Sequence, residues 1–189
     1  RHPKKEFCEK NMTQTGNNSR AFTLLELIVV VLIIAVLVAV AVPMYQKSVQ
    51  KSRFSGLMPI AKALHTGNED FFLAHGYYAS SPELLSVAGQ ENYPDGTEIK
   101  LTHNDEYSFV RARHTLTPNA LIMYQNHSKQ FPGNVHCEAE TDNERAQWLC
   151  EKAFHGTVLE GGSQTPGYTT YILQGSATDG AFASGGEGG

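Results

Sequence analysis

The chain has 189 residues, with 15 Lys and Arg against 19 Asp and Glu, a formal charge of −4 and three cysteines. An acidic balance argues against general nucleic-acid binding, which requires phosphates to be neutralised. No H-E-x-x-H, G-x-S-x-G or Walker loop is present, so the common hydrolase and nucleotide-binding signatures are absent.

Residues 1–21 contain no apolar run and therefore lack the hydrophobic region of a conventional secretory signal. Phe22 to Val42, FTLLELIVVVLIIAVLVAVAV, is different, because only Thr23 and Glu26 are polar. As a helix it is roughly 30 Å long, enough to cross a bilayer's hydrocarbon core and far too long for a strand. It reads as a membrane helix. Glu26 is its oddity, since a charge at the bilayer centre costs about 2.5 kcal/mol or more. Two readings fit this residue. Thr23-Leu24-Leu25-Glu26 is a capping-box pattern that also places the carboxylate on the positive end of the helix dipole. Alternatively, Glu26 meets a cation from another chain.

Past Val42 the pattern turns amphipathic without breaking. Val49, Leu57, Ile60, Leu64 and Phe71 recur at multiples of helical spacing, with Lys47, Lys51, Lys62 and Glu69 between them. The pattern predicts one helix from about Phe22 to about Ala74, with bends or local loosening at Pro43 and Pro59.

Arg20-Ala21 followed by FTLLELIVVVLIIAVLVAVAVPMYQKSVQKSR resembles the N-terminus of a type IV prepilin, of the type IVa kind. The resemblance is strong over the first third of the chain, through Pro43, Tyr45 and Ser52-Arg53, and looser from Ala61 to Tyr78. It implies cleavage between Ala21 and Phe22, N-methylation of Phe22, and subunit assembly through Phe22 and Glu26. The residue before the cut is usually Gly in this family, and Ala21 departs from that pattern. On this reading residues 1–21 are a leader, with Met12 a better start than Arg1, so that Arg1 to Asn11, including Cys8, falls outside the natural product. Residues 22–42 become the transmembrane and filament-core segment, 43–75 its amphipathic continuation, 76–174 a globular head and 175–189 a flexible Gly- and Ser-rich tail. Cleavage leaves 168 residues, room for one ordinary domain, with 10 basic against 17 acidic side chains. That acidity is compatible with solubility outside the cell. Lys47, Lys51 and Arg53 flank the far end of the span, against the positive-inside bias, so charge does not decide orientation.

The head begins with a turn over His75 to Tyr78 and a helix N-cap at Ser80-Ser81-Pro82, with a short helix from Glu83 to Val87. Strand character follows at Thr97 to Thr102, Glu106 to Arg113, Asn119 to Gln125 and Val135 to Glu138, an antiparallel meander. Asp142 to Phe154 reads as a helix and Tyr168 to Leu173 as a further strand.

Cys137 and Cys150 admit two readings, a disulfide or thiolate metal ligands beside His136 and His155. Structural zinc sites favour short C-x2–4-C pairs, which are absent here, and this weights the disulfide. The resemblance supports it, because many type IV pilins close a C-terminal loop beside the sheet with a cysteine pair. Other chemistry is thin. Asp95, Glu98, Asp105 and Glu106 read as solvated turn residues ahead of a calcium site, and they lack EF-hand spacing. Arg111 and Arg113 share a strand face and read as surface; Phe71, Phe72, Tyr77 and Tyr78 read as core packing. Asn126-His127-Ser128 fits a common glycosylation pattern.

The resemblance therefore implies an α+β fold, a long helix on an antiparallel sheet with a disulfide-closed C-terminal loop. It implies a structural role without catalytic residues, metal or cofactor. The precursor would sit in the bacterial inner membrane with its C-terminal domain periplasmic, meet a prepilin peptidase/methylase and the pilus assembly machinery, and join a helical homo-oligomer outside the cell. No nucleic acid is expected as a partner of the subunit alone. Two alternatives stand beside this. One is a periplasmic pseudopilin of a type II secretion system, against which the cysteine pair and SVQKSRFSGLMPIAKAL lean. The other is a membrane-anchored binding protein or minor pilin in which Glu26 is only a cap.

Overall fold

The structure is a computed structural model and describes residues 22–87, 89–160 and 165–177. The chain divides into two units, one ending at Ala41 and one beginning at Val42. Helix α1 runs from Leu24 to His75, and neither Pro43 nor Pro59 ends it. In the first unit every described residue is exposed, including Leu24 at 75% and Ile28 at 45%. Among the described residues α1 is the one helix long and apolar enough to cross a membrane.

In the second unit the buried face of α1 is Gln50, Phe54, Leu57, Ala61, Leu64, Gly67 and Asn68. Spacings of three and four keep these residues on one side of a 3.6-residue helix. The stripe is not centred where the sequence pattern places it. Val49, Ile60 and Phe71 are only half-buried, and Phe54 and Ala61 replace them in the seam.

The sheet is antiparallel throughout, in the order β1-β2-β3-β4-β6-β5. Its strands are β1 Thr97–His103, β2 Ser108–His114, β3 Asn119–Tyr124, β4 Val135–Glu140, β5 Thr157–Val158 and β6 Tyr168–Gln174. Strand side chains alternate between faces, and the register carries that alternation across the sheet. Ile99 pairs Ala112, Ala112 pairs Leu121, Leu121 pairs Cys137 and Cys137 pairs Tyr171. All five belong to one core with Phe54, Leu57, Ala61 and Leu64 of α1. The opposite face is buried as well, with Phe109, Ile122, Tyr124 and Phe131 forming a second cluster. The central strand β3 is consequently buried along its whole length.

Several boundaries differ from the sequence expectations. The segment after Pro82 is a 3-10 turn, Pro82–Leu84, in place of a helix from Glu83 to Val87. Strand β2 starts at Ser108 because Asn104 Oδ1 accepts the Glu106 and Tyr107 N–H groups, a side-chain turn that competes with pairing. Strand β5 is too short for periodicity to reveal. The helix expected at 142–154 is α2, Glu144–Trp148, capped by Asn143 Oδ1 on the Ala146 N–H at 3.1 Å, followed by a π-helical turn, Leu149–Ala153. The chain then reverses at Gly156. A Cβ there would lie 2.9 Å from both the Cys150 carbonyl oxygen and Tyr171 Cβ, so a side chain cannot be accommodated without movement.

On the second face His136 is fully buried, edge-on to Tyr124 and Phe131, and neither ring nitrogen has a hydrogen-bond partner. Burial alone lowers its pKa to about 4, because the charged imidazolium is poorly solvated there. With the folded pKa below the unfolded value of about 6.5, the unfolded chain binds more protons between these limits. Stability is therefore fully present above pH 6.5 and falls by roughly 3 kcal/mol as pH drops toward 4. Denaturant titration between pH 7 and pH 4 should show this slope, and His136→Phe should flatten it. An unchanged slope would remove His136 as its source.

Candidate functional site

The first turn of α1 forms the local arrangement its sequence pattern anticipates. Glu26 Oε2 accepts the Thr23 backbone N–H at 2.9 Å and the Thr23 hydroxyl at 3.0 Å, and Thr23 Oγ1 accepts the Glu26 N–H at 3.2 Å. Cap and acid thus satisfy each other's orphan groups. Phe22 is 83% exposed and precedes the cap. Ala21, the expected residue before the cut, lies outside the described residues, as do Met12, Cys8 and residues 178–189. The carboxylate's local partners are neutral donors of Thr23, so its charge has no cation partner among the described residues.

In the head, Cys137 and Cys150 are joined in a disulfide, with Cα atoms 5.7 Å apart. Among the described residues no group of three or more His, Cys, Asp and Glu is placed to hold a metal ion. His136 points to the opposite sheet face from Cys137 and packs among rings, and His155 is exposed. Asn119 organises this region, a role with no motif to announce it. Its Oδ1 accepts Gln50 Nε2 at 2.6 Å, while its Nδ2 donates to the Ala146 carbonyl at 2.9 Å and approaches Cys150 Sγ at 3.3 Å. One buried amide thereby links α1, β3 and the disulfide segment.

The remaining candidates disperse. Asp95 accepts the Thr97 N–H and hydroxyl before β1, a bond that lowers its pKa, whereas Asp105 and Glu106 lie in the turn after β1. These acids are at opposite ends of one strand. Asn126 is exposed, and its N–H donates to Glu69 Oε1 at 2.7 Å. Tyr78 is buried, stacks on Phe72 and donates to Glu69; Tyr77 is 55% exposed and meets Phe71 edge-on. Arg113 pairs with Glu98 at the surface. Arg111 does not behave as a surface residue. Its Nε and Nη2 both lie 3.0 Å from Glu138 Oε2, and the carboxylate is fully buried, with Thr165 Oγ1 donating to Oε1 at 2.7 Å. Alternation shows that Arg111 and Glu138 share a face but not that two strands bring them together.

Residues 16–42 match the prokaryotic N-terminal methylation motif. The chain is also 29% identical over 85 residues to a "Fimbrial protein" of Neisseria meningitidis serogroup A / serotype 4A, over 43% of this chain and 50% of that protein. The matched region thus spans about half the length of the curated relative. No solved structure matches. A methylation motif leading into an exposed apolar helix, followed by an antiparallel head with a disulfide, resembles the architecture of type IV prepilins. The chain is thus similar to type IV pilin-like fimbrial proteins.

Non-reducing peptide mapping should recover Cys137 linked to Cys150, and replacing both by Ala should cost roughly 3 kcal/mol in the chain-entropy model. Free alkylation of both thiols in the native protein would contradict this. Arg111→Met should destabilise by about 3–5 kcal/mol by leaving Glu138 charged and buried, while Arg111→Met with Glu138→Met should regain most of the loss. Additive losses in that double-mutant cycle would show that the pair is not coupled.

Proposed function

We propose that the chain is a structural subunit of a type IV pilus that polymerises through its N-terminal helix. The observation that carries this reading is the first half of α1, whose large apolar side chains are exposed from Phe22 to Val42. Water is a costly environment for that surface, at about 25 cal/mol per Å² of apolar area. Lipid solvates it in the precursor, and the same segments of neighbouring subunits replace lipid in the filament. Both surroundings are hydrocarbon-like, so the exchange costs little and polar pairing can set the register. A head-to-tail contact that does not close then produces a helical filament.

Glu26 supplies the polar pairing. Cleavage after Ala21 creates a positive amine on Phe22, and the Glu26 carboxylate of an adjacent subunit is its partner in a low-dielectric surround. The capping contacts to Thr23 hold the carboxylate in the first turn before assembly. Processing by a prepilin peptidase, methylation of Phe22, an inner-membrane precursor with a periplasmic head, and a non-catalytic role belong to the same reading. The methylation motif supports them.

Mass spectrometry of the mature product should find an N-terminal peptide beginning at Phe22 with an added methyl group. A mature peptide crossing Ala21–Phe22 would count against processing at this bond. Glu26→Gln keeps size and much of the capping while removing the charge. The variant should insert and be cut normally, yet electron microscopy of sheared surface fibres should show filaments sharply reduced. If it polymerises like the native chain, the intersubunit pair is wrong and Glu26 is only a cap.

A further inference from the structure

Within the head, the second half of α1 leaves a groove of about 560 Å³ against the sheet. Its walls are largely apolar: Met58 from α1, Met123 from β3, Val135 from β4, Leu173 from β6, and Phe154 after α2. Met58, Val135, Phe154 and Leu173 are each only half-buried. Water against such a surface is unfavourable, so the groove favours an apolar occupant. Lys62 also lines it, with no acid among the described lining residues. Its ammonium has no hydrogen bond or ion pair among the described residues.

The described residues end at Ala177, beside this groove. Gln174, the last residue of β6, lines it, and so does Asn134, which is 2% exposed. Asn134 Nδ2 donates to the Ser176 carbonyl oxygen at 2.9 Å and holds the backbone that follows β6 against the rim. Gly175 turns the chain there at φ +109°, and a Cβ on it would collide with the Asn134 side chain. The exit is thereby fixed, and with it the point from which the next residues start. Residues 178–189 read TDGAFASGGEGG, in which Phe182 is the one large apolar side chain and Asp179 and Glu187 are the charged ones. Phe182 lies five positions past Ala177, a reach of roughly 17 Å for an extended chain. A tether this short gives an effective concentration on the order of millimolar, so a modest contact suffices to fill the groove.

We propose that this groove is the docking site of the chain's own C-terminal segment, with Phe182 seated among Met58, Met123, Val135 and Leu173 and Asp179 paired with Lys62. Reach and charge select this occupant. The segment carries acids and no base, whereas the groove carries a cation and no acid. Opposite charges arranged in this way fix orientation more than they add strength. Docked, the segment shields the apolar groove from water. Released, it leaves an apolar flank on which a second copy can pack.

The test uses the full chain in nanodiscs, because detergent would itself fill an apolar groove. Phe182 is replaced by the photo-crosslinker p-benzoylphenylalanine, and unlabelled chains are mixed with nitrogen-15-labelled ones before irradiation. Peptide mass spectrometry should find crosslinks within one chain, at Met58 or Met123. Met44, exposed in the first unit, reports random encounter. Crosslinks spread over the head, or as frequent at Met44 as in the groove, overturn the docking. Crosslinks joining labelled to unlabelled chains make the occupant a second copy and overturn the intramolecular assignment. Lys62→Glu should cut the groove crosslinks several-fold, and Lys62→Glu with Asp179→Lys should restore them. An unchanged yield in the first, or no recovery in the second, overturns the Asp179–Lys62 pairing. A further readout needs no crosslinker: Phe182→Ala should speed peroxide oxidation of Met58 several-fold relative to Met44, and an unchanged ratio overturns the seat of Phe182.

Discussion

The structure depends on one helix having to satisfy two kinds of surroundings. Up to Val42 the large apolar side chains of α1 are exposed, whereas from Gln50 onward one face is buried against a sheet. Burying a Leu, Ile or Val side chain is worth about 1.5–3 kcal/mol, so an exposed run of this length is unfavourable in water. The second half has the opposite demand. Its polar flanks remain in water while Phe54, Leu57, Ala61 and Leu64 hold the head's core together. The change of surroundings falls between Val42 and Gln50, where no proline or glycine interrupts the helix hard enough to end it.

Polar groups lock the head onto that helix. The Gln50–Asn119 bond, the Asn119 contacts to Ala146 and Cys150, and the disulfide form one connected path from α1 to the C-terminal segment. Such contacts are short-ranged and directional, so they specify how helix and sheet meet where apolar packing alone is permissive. The same path leaves Gln50 Oε1 without a donor. The specificity of the head and its unsatisfied acceptor have one origin.

The far face of the sheet carries a different load. Glu138, paired with the partly buried Arg111, and the unpartnered His136, packed on the Tyr124 and Phe131 rings, are both buried there. A buried pair contributes little net stability when intact and costs much when broken, whereas a buried histidine without hydrogen-bond partners costs some stability when neutral and more when acid charges it. This face therefore responds both to pH, through His136, and to substitution of either member of the ion pair.

Much of this protein was legible in the sequence because its strongest signals are local. A twenty-one-residue apolar run, Thr23 and Glu26 three positions apart, and alternating strand residues from Thr97 onward each depend on neighbours along the chain. They were enough for the long helix, the antiparallel sheet and the capping geometry at Glu26. What the tertiary structure decided depends on residues far apart in sequence. The seam on Phe54 and Ala61 was set by where the sheet lies, Asn119 gained its role from meeting Gln50 sixty-nine positions away, and Arg111 became the partner of a buried carboxylate because β2 and β4 flank β3. Strand β5 exists because the turn at Gly156 delivers two residues to the edge of β6. No periodicity encodes such meetings, since a side chain's partner is chosen by the folded arrangement of whole elements.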